Sequence, residues 1–470
     1  MTTQRRLESD PDASWGSGPA QIHEFTDEGL GNSSWLVETG DGRALVVDPS
    51  RDPRPYMQLA ERRNLTLAFS AETHLHADFV SGSRELAACG ATIVAPAAGG
   101  VAFAHRGLAA GDEVDLGGLR LRALATPGHT PEHLAYLLVD DETPLALFSG
   151  GSLLVGAVAR TDLISPEQTE PLTRRLWRSL QETVVGLPDD LAVYPTHGAG
   201  SFCSASGGSQ RWTTVGQERA SNPLLASPDE DAFVAGLLGR LGSYPPYFLT
   251  LRELNRRGPR VYGDQPPSLA PRSVDSVVDA VSAGSELVDV RPFRQFAAGH
   301  IAGSLSIPLR PQFASWLGWL VAPDRKLIFV ADADADRDDI VRQCLKIGYE
   351  TIGGELAGGT DAWVASGRHL ESVELVGPGD VVASRLLDVR QDAEFDAGHV
   401  PGSTHRELGD LAERTDDLGS GPLTLMCGHG ERAMTAASLL ERTGRRDLSV
   451  MDGGPAEWSA GTERSLVTGR

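Results

Sequence analysis

Between residues 21 and about 200, short apolar runs of strand length alternate with stretches of helical spacing. Trp35-Leu-Val-Glu-Thr, then Gly40-Asp-Gly42, then Ala44-Leu-Val-Val-Asp48 predicts a hairpin, because the glycines supply the turn. Residues 56–63 have helical spacing, and Leu67-Ala-Phe-Ser-Ala reads as a strand. Residues 83–89 predict the next helix and Ala91-Thr-Ile-Val-Ala another strand, with further strands over 119–126, 134–139 and 145–149. Thr73-His-Leu-His-Ala-Asp-Phe-Val-Ser-Gly82, His129 and His197 all fall just beyond such strands. A rigid sheet edge holding several loops over one point is what a metal site requires. His105 and His133 have no ligand-like context and read as structural.

After a polar stretch at 204–210 come helical segments containing Glu218, Asn222-Pro223, Tyr247-Phe248 and Asn255, and a Pro/Gly-rich linker at 258–271. The remainder is an internal repeat. Leu287-Val-Asp-Val-Arg-Pro-Phe-Arg-Gln-Phe-Ala-Ala-Gly-His-Ile-Ala-Gly-Ser matches Leu386-Leu-Asp-Val-Arg-Gln-Asp-Ala-Glu-Phe-Asp-Ala-Gly-His-Val-Pro-Gly-Ser, and Gly358-Gly-Thr-Asp-Ala-Trp363 answers Gly453-Gly-Pro-Ala-Glu-Trp458. Two tandem copies of one domain are the simplest reading. Each alternates short apolar strands with helices, so each is expected to be a small α/β unit with a parallel sheet.

At 470 residues the chain is too long for one core and suggests about three domains. A formal charge of -22 argues against nucleic acid and anionic membranes as partners, since both are polyanions. Cysteines stand at 89, 203, 344 and 427, too few and too scattered for a disulfide scaffold or a zinc finger. With no signal-peptide pattern and no apolar run of bilayer length, the expectation is a cytoplasmic protein whose first 20 residues are disordered.

The layout of His74, His76, Asp78, His129 and His197 resembles the metallo-β-lactamase superfamily, in its glyoxalase II and persulfide dioxygenase branch. Thr126-Pro-Gly-His129, Arg160-Thr-Asp-Leu163, Tyr194-Pro-Thr-His-Gly-Ala-Gly-Ser201 and Thr214-Val-Gly-Gln-Glu-Arg219 belong to the same resemblance. It implies an αββα sandwich over 21–258 with those five residues as metal ligands and Arg160 near a thiol substrate. Two positions depart from the pattern: Phe79 stands where a histidine is expected, and Gly151 where an aspartate is expected. In persulfide dioxygenases the resemblance implies one Fe(II) held by two histidines and a carboxylate, and Gly151 removes that carboxylate. Two readings stand open: a weakly held Fe(II) or Zn(II) on His74, His76 and His129 with Asp78 or water filling in, or a metal-free relic whose histidines serve packing. Thioester hydrolysis, which implies two metals, ranks last.

Leu423-Thr-Leu-Met delivers Cys427 into Gly428-His-Gly-Glu-Arg432, which opens a helix over 433–442. Backbone N–H groups and a helix N-terminus favour an anion there and lower the thiol pKa, and the thiolate is the species that attacks sulfane sulfur. Arg432 can hold an anionic donor, and Gly428, His429, Gly430 and Glu431 would line the loop around it. With Leu-Asp-Val-Arg, Ala-Gly-His and Gly-Gly-x-x-x-Trp in that order, the repeats resemble rhodanese domains, expected over 272–370 and 378–468. The six-residue loop favours sulfur over the wider cradle of related phosphatases. Asp388, Arg390 and His399 are expected to brace the fold. In the first copy Leu327-Ile-Phe-Val330 is followed by Ala331-Asp332 with no nucleophile, and Cys344 reads as core. The chain is thus expected to be a sulfur-metabolism fusion that acts as a sulfurtransferase on thiosulfate and on glutathione or similar persulfides. The rivals are an iron persulfide dioxygenase with an atypical ligand set and a non-catalytic sulfur-binding protein. Either a monomer or a homodimer is compatible with the tandem arrangement.

Overall fold

The computed structural model describes residues 11, 13–203, 210–263, 265–411 and 418–469. Its contacts divide into two compact units, residues 1–266 with 345–348, and residues 267–344 with 349–470.

In the first unit, a seven-stranded sheet runs in chain order from Ala13–Ser17 through Ala20–Asp27, Asn32–Glu38, Arg43–Val47, Thr66–Ala71 and Thr92–Pro96 to Arg106–Leu108. The first four strands pair antiparallel and the last three join in parallel. A second, six-stranded sheet has the order Thr213–Thr214, Ala192–Pro195, Thr143–Gly150, Leu134–Asp140, Leu119–Ala125, Glu113–Asp115. Alternation along the strands assigns the two faces. Trp35, Val37, Leu45 and Val47 meet Leu121, Tyr136, Leu138 and Phe148 between the sheets. Leu36, Ala44 and Val46 face Tyr56, Leu59 and Leu86, which lie on the helices Arg54–Arg63 and Ser83–Ala88. Ala135, Leu137 and Val139 face Leu176 on the helix Pro166–Ser179. Both faces of the central strands are covered, so these strands read as unbroken apolar runs. This is the αββα sandwich, and its histidine-bearing loops all leave strand ends.

One expectation is corrected here. Disorder was expected through residue 20, yet Ala13–Ser17 is a strand hairpinned onto Ala20–Asp27. Trp15 supplies the reason, packing at 6.0 Å from Trp35, 5.9 Å from Tyr194 and 5.7 Å from Trp212. Residues 1–10 and most of the polar stretch at 204–210 lie outside the described residues. No helix among the described residues is long and apolar enough to cross a membrane.

The second unit holds two five-stranded parallel sheets. One has the order Pro271–Arg272, Ile352–Leu356, Leu327–Val330, Glu286–Asp289, Leu305–Ser306; the other Glu374–Val376, Leu448–Met451, Leu423–Met426, Leu386–Asp388, Thr404–His405. The shared motif is an internal brace in each. Arg390 forks onto the fully buried Asp388 (Nε to Oδ1 at 3.0 Å, Nη2 to Oδ2 at 2.6 Å) and bonds the Gly398 carbonyl at 2.8 Å. Arg291 does the same with Asp289 and the Gly299 carbonyl. His399 and His300 stack on Phe395 and Phe296 with ring centroids 3.7 and 3.9 Å apart.

A carboxylate buried this deeply is tolerable only while its arginine stays. Arg390→Ala is expected to lower unfolding free energy by about 3–5 kcal/mol in urea titration, with Arg390→Lys recovering part of it. A loss below about 1 kcal/mol would show that the brace carries little of the domain's stability.

Candidate metal centre and sulfur-transfer loop

The histidine edge is assembled by four strand ends. Thr66–Ala71 leads into Glu72-Thr-His74, Leu119–Ala125 into His129, Thr143–Gly150 into Gly151, and Ala192–Pro195 into Thr196-His197. The Leu134 N–H donates to the Thr73 carbonyl at 2.9 Å and the Thr196 N–H to the Gly150 carbonyl at 3.1 Å, so these ends are stitched to one another. Residues of the helical tail pin the motif from outside. Tyr247 Oη donates to the Asp78 carbonyl at 3.0 Å, and Asn255 Nδ2 donates to the His76 and Phe79 carbonyls at 2.8 and 2.9 Å.

Among the ligand candidates, His76, Asp78 and His197 offer donor atoms within 4.8 Å of one another, as do His74 and His76 with Asp48 and, all through imidazoles, His74, His129 and His197. In each ring the other nitrogen is tied down. His74 Nδ1 lies 2.8 Å from Thr73 Oγ1, whose own proton goes to Asp48. His129 Nδ1 donates to the Arg160 carbonyl at 2.6 Å. His197 Nδ1 is 3.1 Å from both Asn32 Oδ1 and Asp78 Oδ2. This network assigns the proton to Nδ1 and leaves Nε2 with the lone pair, the form a metal ligand needs. Burial and the neighbouring imidazoles hold His74 well below the ordinary histidine range. Burial, with the His197 ring beside it, brings His129 down to about 3.

His76 does something else. Its Nε2 lies 3.0 Å from Glu72 and 3.2 Å from Asp48, and the Phe79 ring stacks on it at 4.2 Å. Burial alone would depress it, but the two carboxylates outweigh burial and raise it to about 10. His76 thus converges with carboxylates, in the groups Asp48–His74–His76 and His76–Asp78–His197, while the expected His74, His76 and His129 set is not among the groups that converge among the described residues. The Asp78 carboxylate lies 3.1 Å from His197 Nδ1. Burial opposes its ionisation, but His197 outweighs this and holds it below the usual range.

The donor set therefore fits a divalent ion through three neutral imidazoles, as zinc accepts with a fourth position open. That set lacks the carboxylate of a facial triad, which the groups Asp48–His74–His76 and His76–Asp78–His197 would supply. Gly151 has no room for the missing group as the edge stands: a Cβ there would lie 2.5 Å from His129 Cδ2, and one on Gly150 2.5 Å from His133 Nε2. The His129 ring packs where the carboxylate's stem would be.

Arg160, expected beside a thiol substrate, is corrected. It is 4% exposed, stacks over Tyr244 at 4.3 Å, forks onto Asp162 (2.7 and 2.8 Å), and bonds the carbonyls of Phe202, Gly242 and Ser243. Its donors are filled. His133 is structural, its Nδ1 on Thr126 Oγ1 and its Nε2 accepting from the Gly151 N–H. Sequence reasoning passed over Asp48 and Cys203. Asp48 ends a strand with a φ of 48°, a conformation that favours Asp and Asn, which was the available signal. Cys203 is fully buried; burial first, then the charge of Asp78, push its thiol well up.

In the second unit, the strand Leu423–Met426 delivers Cys427 to the N-terminus of the helix Glu431–Arg442. The Gly430 N–H donates to Cys427 Sγ at 3.1 Å. Gly430 has φ 110°, and a Cβ there would strike the Phe293 ring at 2.6 Å, so glycine is required twice over. Gly428 and Glu431 are partly exposed and His429 exposed on the same loop. Arg432 does not point free into the loop. Its Nη1 and Nη2 fork onto Glu394 at 2.6 and 2.7 Å, 5.8 Å over the Trp316 ring. Cys344 is fully buried on the helix Arg337–Leu345, with its thiol pushed up by burial.

Comparisons with known proteins agree with both halves. The rhodanese-like domain model matches residues 273–366 and 373–461. Persulfide dioxygenase ETHE1 from human mitochondria is 30% identical over 222 residues, 46% of this chain and 80% of that protein. A hydroxyacylglutathione hydrolase of Rhodopseudomonas palustris is 36% identical over 169 residues, 35% of this chain and 62% of that one. The solved structure of a metallo-β-lactamase from Staphylococcus aureus superposes with a TM-score of 0.65 at 28% identity, covering 72% of this chain and 99% of that one.

The tight fit at Gly151 is testable. Gly151→Ala is expected to displace the His129 ring, lower the melting temperature through overpacking of about 1–3 kcal/mol, and weaken zinc binding in a competition titration. Unchanged stability and affinity would mean that the edge relaxes freely around a new methyl group.

Proposed function

This chain belongs to the metallo-β-lactamase-fold persulfide dioxygenases fused to tandem rhodanese domains, and from that premise we propose that it moves sulfane sulfur through a persulfide on Cys427. The observation that carries this is the Gly430 N–H on Cys427 Sγ, at the head of a 12-residue helix. Both direct backbone N–H dipoles at the sulfur, where negative charge gathers during transfer. With thiosulfate as donor, the Cys427 thiolate attacks the outer sulfur. An Sγ–S bond forms, the donor's S–S bond breaks, and sulfite leaves with the electron pair. An acceptor thiolate such as that of glutathione then attacks the outer sulfur of the persulfide and releases Cys427. No external oxidant or reductant is required. The loop's backbone donors serve the negative charge on sulfur in both half-reactions.

A second reading is favoured by the three converging imidazoles. His74, His129 and His197 would hold an iron or zinc ion, Thr73, the Arg160 carbonyl, Asn32 and Asp78 would fix their rings, and Asp48 would anchor the edge. Iron bound there would supply O2 activation for oxidising a persulfide to sulfite. Hydrolysis through two metals is disfavoured, because Phe79 and Gly151 carry no donor where the resemblance implies a histidine and an aspartate. The ligands we propose for the first unit and Cys427 in the second would be separable centres.

The deciding experiment is metal analysis of the untagged protein together with two assays, thiosulfate sulfur transfer and O2 uptake on glutathione persulfide. Cys427→Ser is expected to abolish transfer and His129→Ala to leave it intact while lowering metal content. About one iron per chain with O2 uptake lost in His129→Ala would establish the second reading. Transfer that survives Cys427→Ser would sink the first.

A further inference from the structure

The repeat without a cysteine lies against the Cys427 loop. Its Phe293 ring covers Gly430. Its strand Leu305–Ser306 receives the helix Glu431–Arg442, with the Ser306 N–H donating to Ser438 Oγ at 3.1 Å and Thr435 Oγ1 donating to the Ser306 carbonyl at 2.7 Å. Arg310 follows that strand, between Ser306, bonded to the loop helix, and Trp316, which lies 5.8 Å under Arg432, and the charges of Glu431, Cys427 and Arg432 act on it.

The two arginines at the loop differ in what neutralises them. Arg432 is paired with Glu394 through two short bonds, so the pair brings little net charge to an incoming anion. Arg310 is partly buried, and among the described residues its guanidinium has one hydrogen bond, Nη1 to Gln312 Oε1 at 3.2 Å. Among the described residues it has no ion pair, and Glu431 is the carboxylate whose charge reaches it. A desolvated cation without a paired anion is costly unless a ligand completes it.

We infer that Arg310, contributed by the cysteine-less repeat, is the anion-binding residue of the Cys427 site and holds the sulfonate end of the sulfur donor. The inference rests on Cys427 being the sulfur carrier proposed above. When the donor's S–S bond breaks, the leaving sulfite gathers charge at the end Arg310 holds, so one contact aids both binding and departure. Burial, which here pushes the Arg310 guanidinium below its ordinary value, agrees with a cation awaiting a counter-charge. On this account the first repeat is half of the second repeat's site, which explains why it persists without a nucleophile.

The test separates anion binding from sulfur chemistry. In the full chain, alkylation of the Cys427 peptide is followed by mass spectrometry with iodoacetate and with neutral iodoacetamide, alongside thiosulfate kinetics. Arg310→Ala is expected to lower the iodoacetate-to-iodoacetamide rate ratio about tenfold and to raise KM for thiosulfate by about as much, with kcat falling less. Arg310→Lys should restore most of the ratio. Equal loss of both alkylation rates in the two variants would point to a distorted loop and overturn the inference, as would an unchanged ratio or an unchanged KM. A wild-type protein that transfers no sulfur, yet shows the Arg310-dependent ratio, would sink the sulfur-carrier reading and leave the anion site standing.

Discussion

Asp48 is a fully buried carboxylate at the end of a strand, and the histidine edge of the first unit is built around satisfying it. It accepts from the Thr73 N–H and Thr73 Oγ1, both at 2.7 Å, from Thr196 Oγ1, and from His76 at 3.2 Å. A charge in such a place is tolerable only when its lone pairs are filled. Burial opposes its ionisation, yet the His76 charge and these hydrogen bonds outweigh burial and hold Asp48 below the usual carboxylate range. Thr73 adjoins His74 and Thr196 adjoins His197, so filling Asp48 also places two of the three converging imidazoles. The chain from Asp48 through Thr73 Oγ1 to His74 Nδ1 then decides which nitrogen of His74 faces its neighbours. Fold stability and ligand geometry are here the same set of bonds. That coupling accounts for a histidine cluster kept in order although its edge lacks the expected carboxylate at Gly151.

The same coupling explains which parts of the site were legible in the sequence. Strand ends were legible because β-rich runs broken by glycine are local, and so the loops carrying His74, His129 and His197 could be placed on one edge. The Asp-Val-Arg braces were legible because the repeat displays them twice. What local pattern cannot carry is where a long or rotatable side chain turns. His76 sits in the same motif as His74, but its Nε2 turns to Glu72 and Asp48. Arg160 and Arg432 both looked available to an anion; Asp162 and Glu394, each reached only after folding, occupy them. The strand Ala13–Ser17 was missed for a related reason. Its polar residues resemble a tail, and only the pocket formed by Trp35, Tyr194 and Trp212 gives Trp15 something to bury against.

The two repeats carry one scaffold to different ends. Each has the buried Asp–Arg pair and the histidine stacked on phenylalanine, so neither has lost the means to hold its sheet together. They diverge after the central strand. Leu423–Met426 ends in a cysteine, a hydrogen-bonding glycine and a helix that starts at once, whereas Leu327–Val330 ends in Ala331-Asp332 and reaches its helix only at Arg337. Both histidines bond through Nδ1 to the phenylalanine carbonyl four residues back, and His300 Nε2 also reaches Glu441 on the other repeat's loop helix at 2.9 Å. The first copy is thus tied to the second through the helix that begins at the cysteine loop. A substitution on its face at Phe293, Ser306 or Trp316 would be felt at that loop by contact alone. Loss of a nucleophile therefore releases the first repeat's own loop from chemical constraint, but leaves the surface that shapes its neighbour's loop as constrained as any residue beside Cys427.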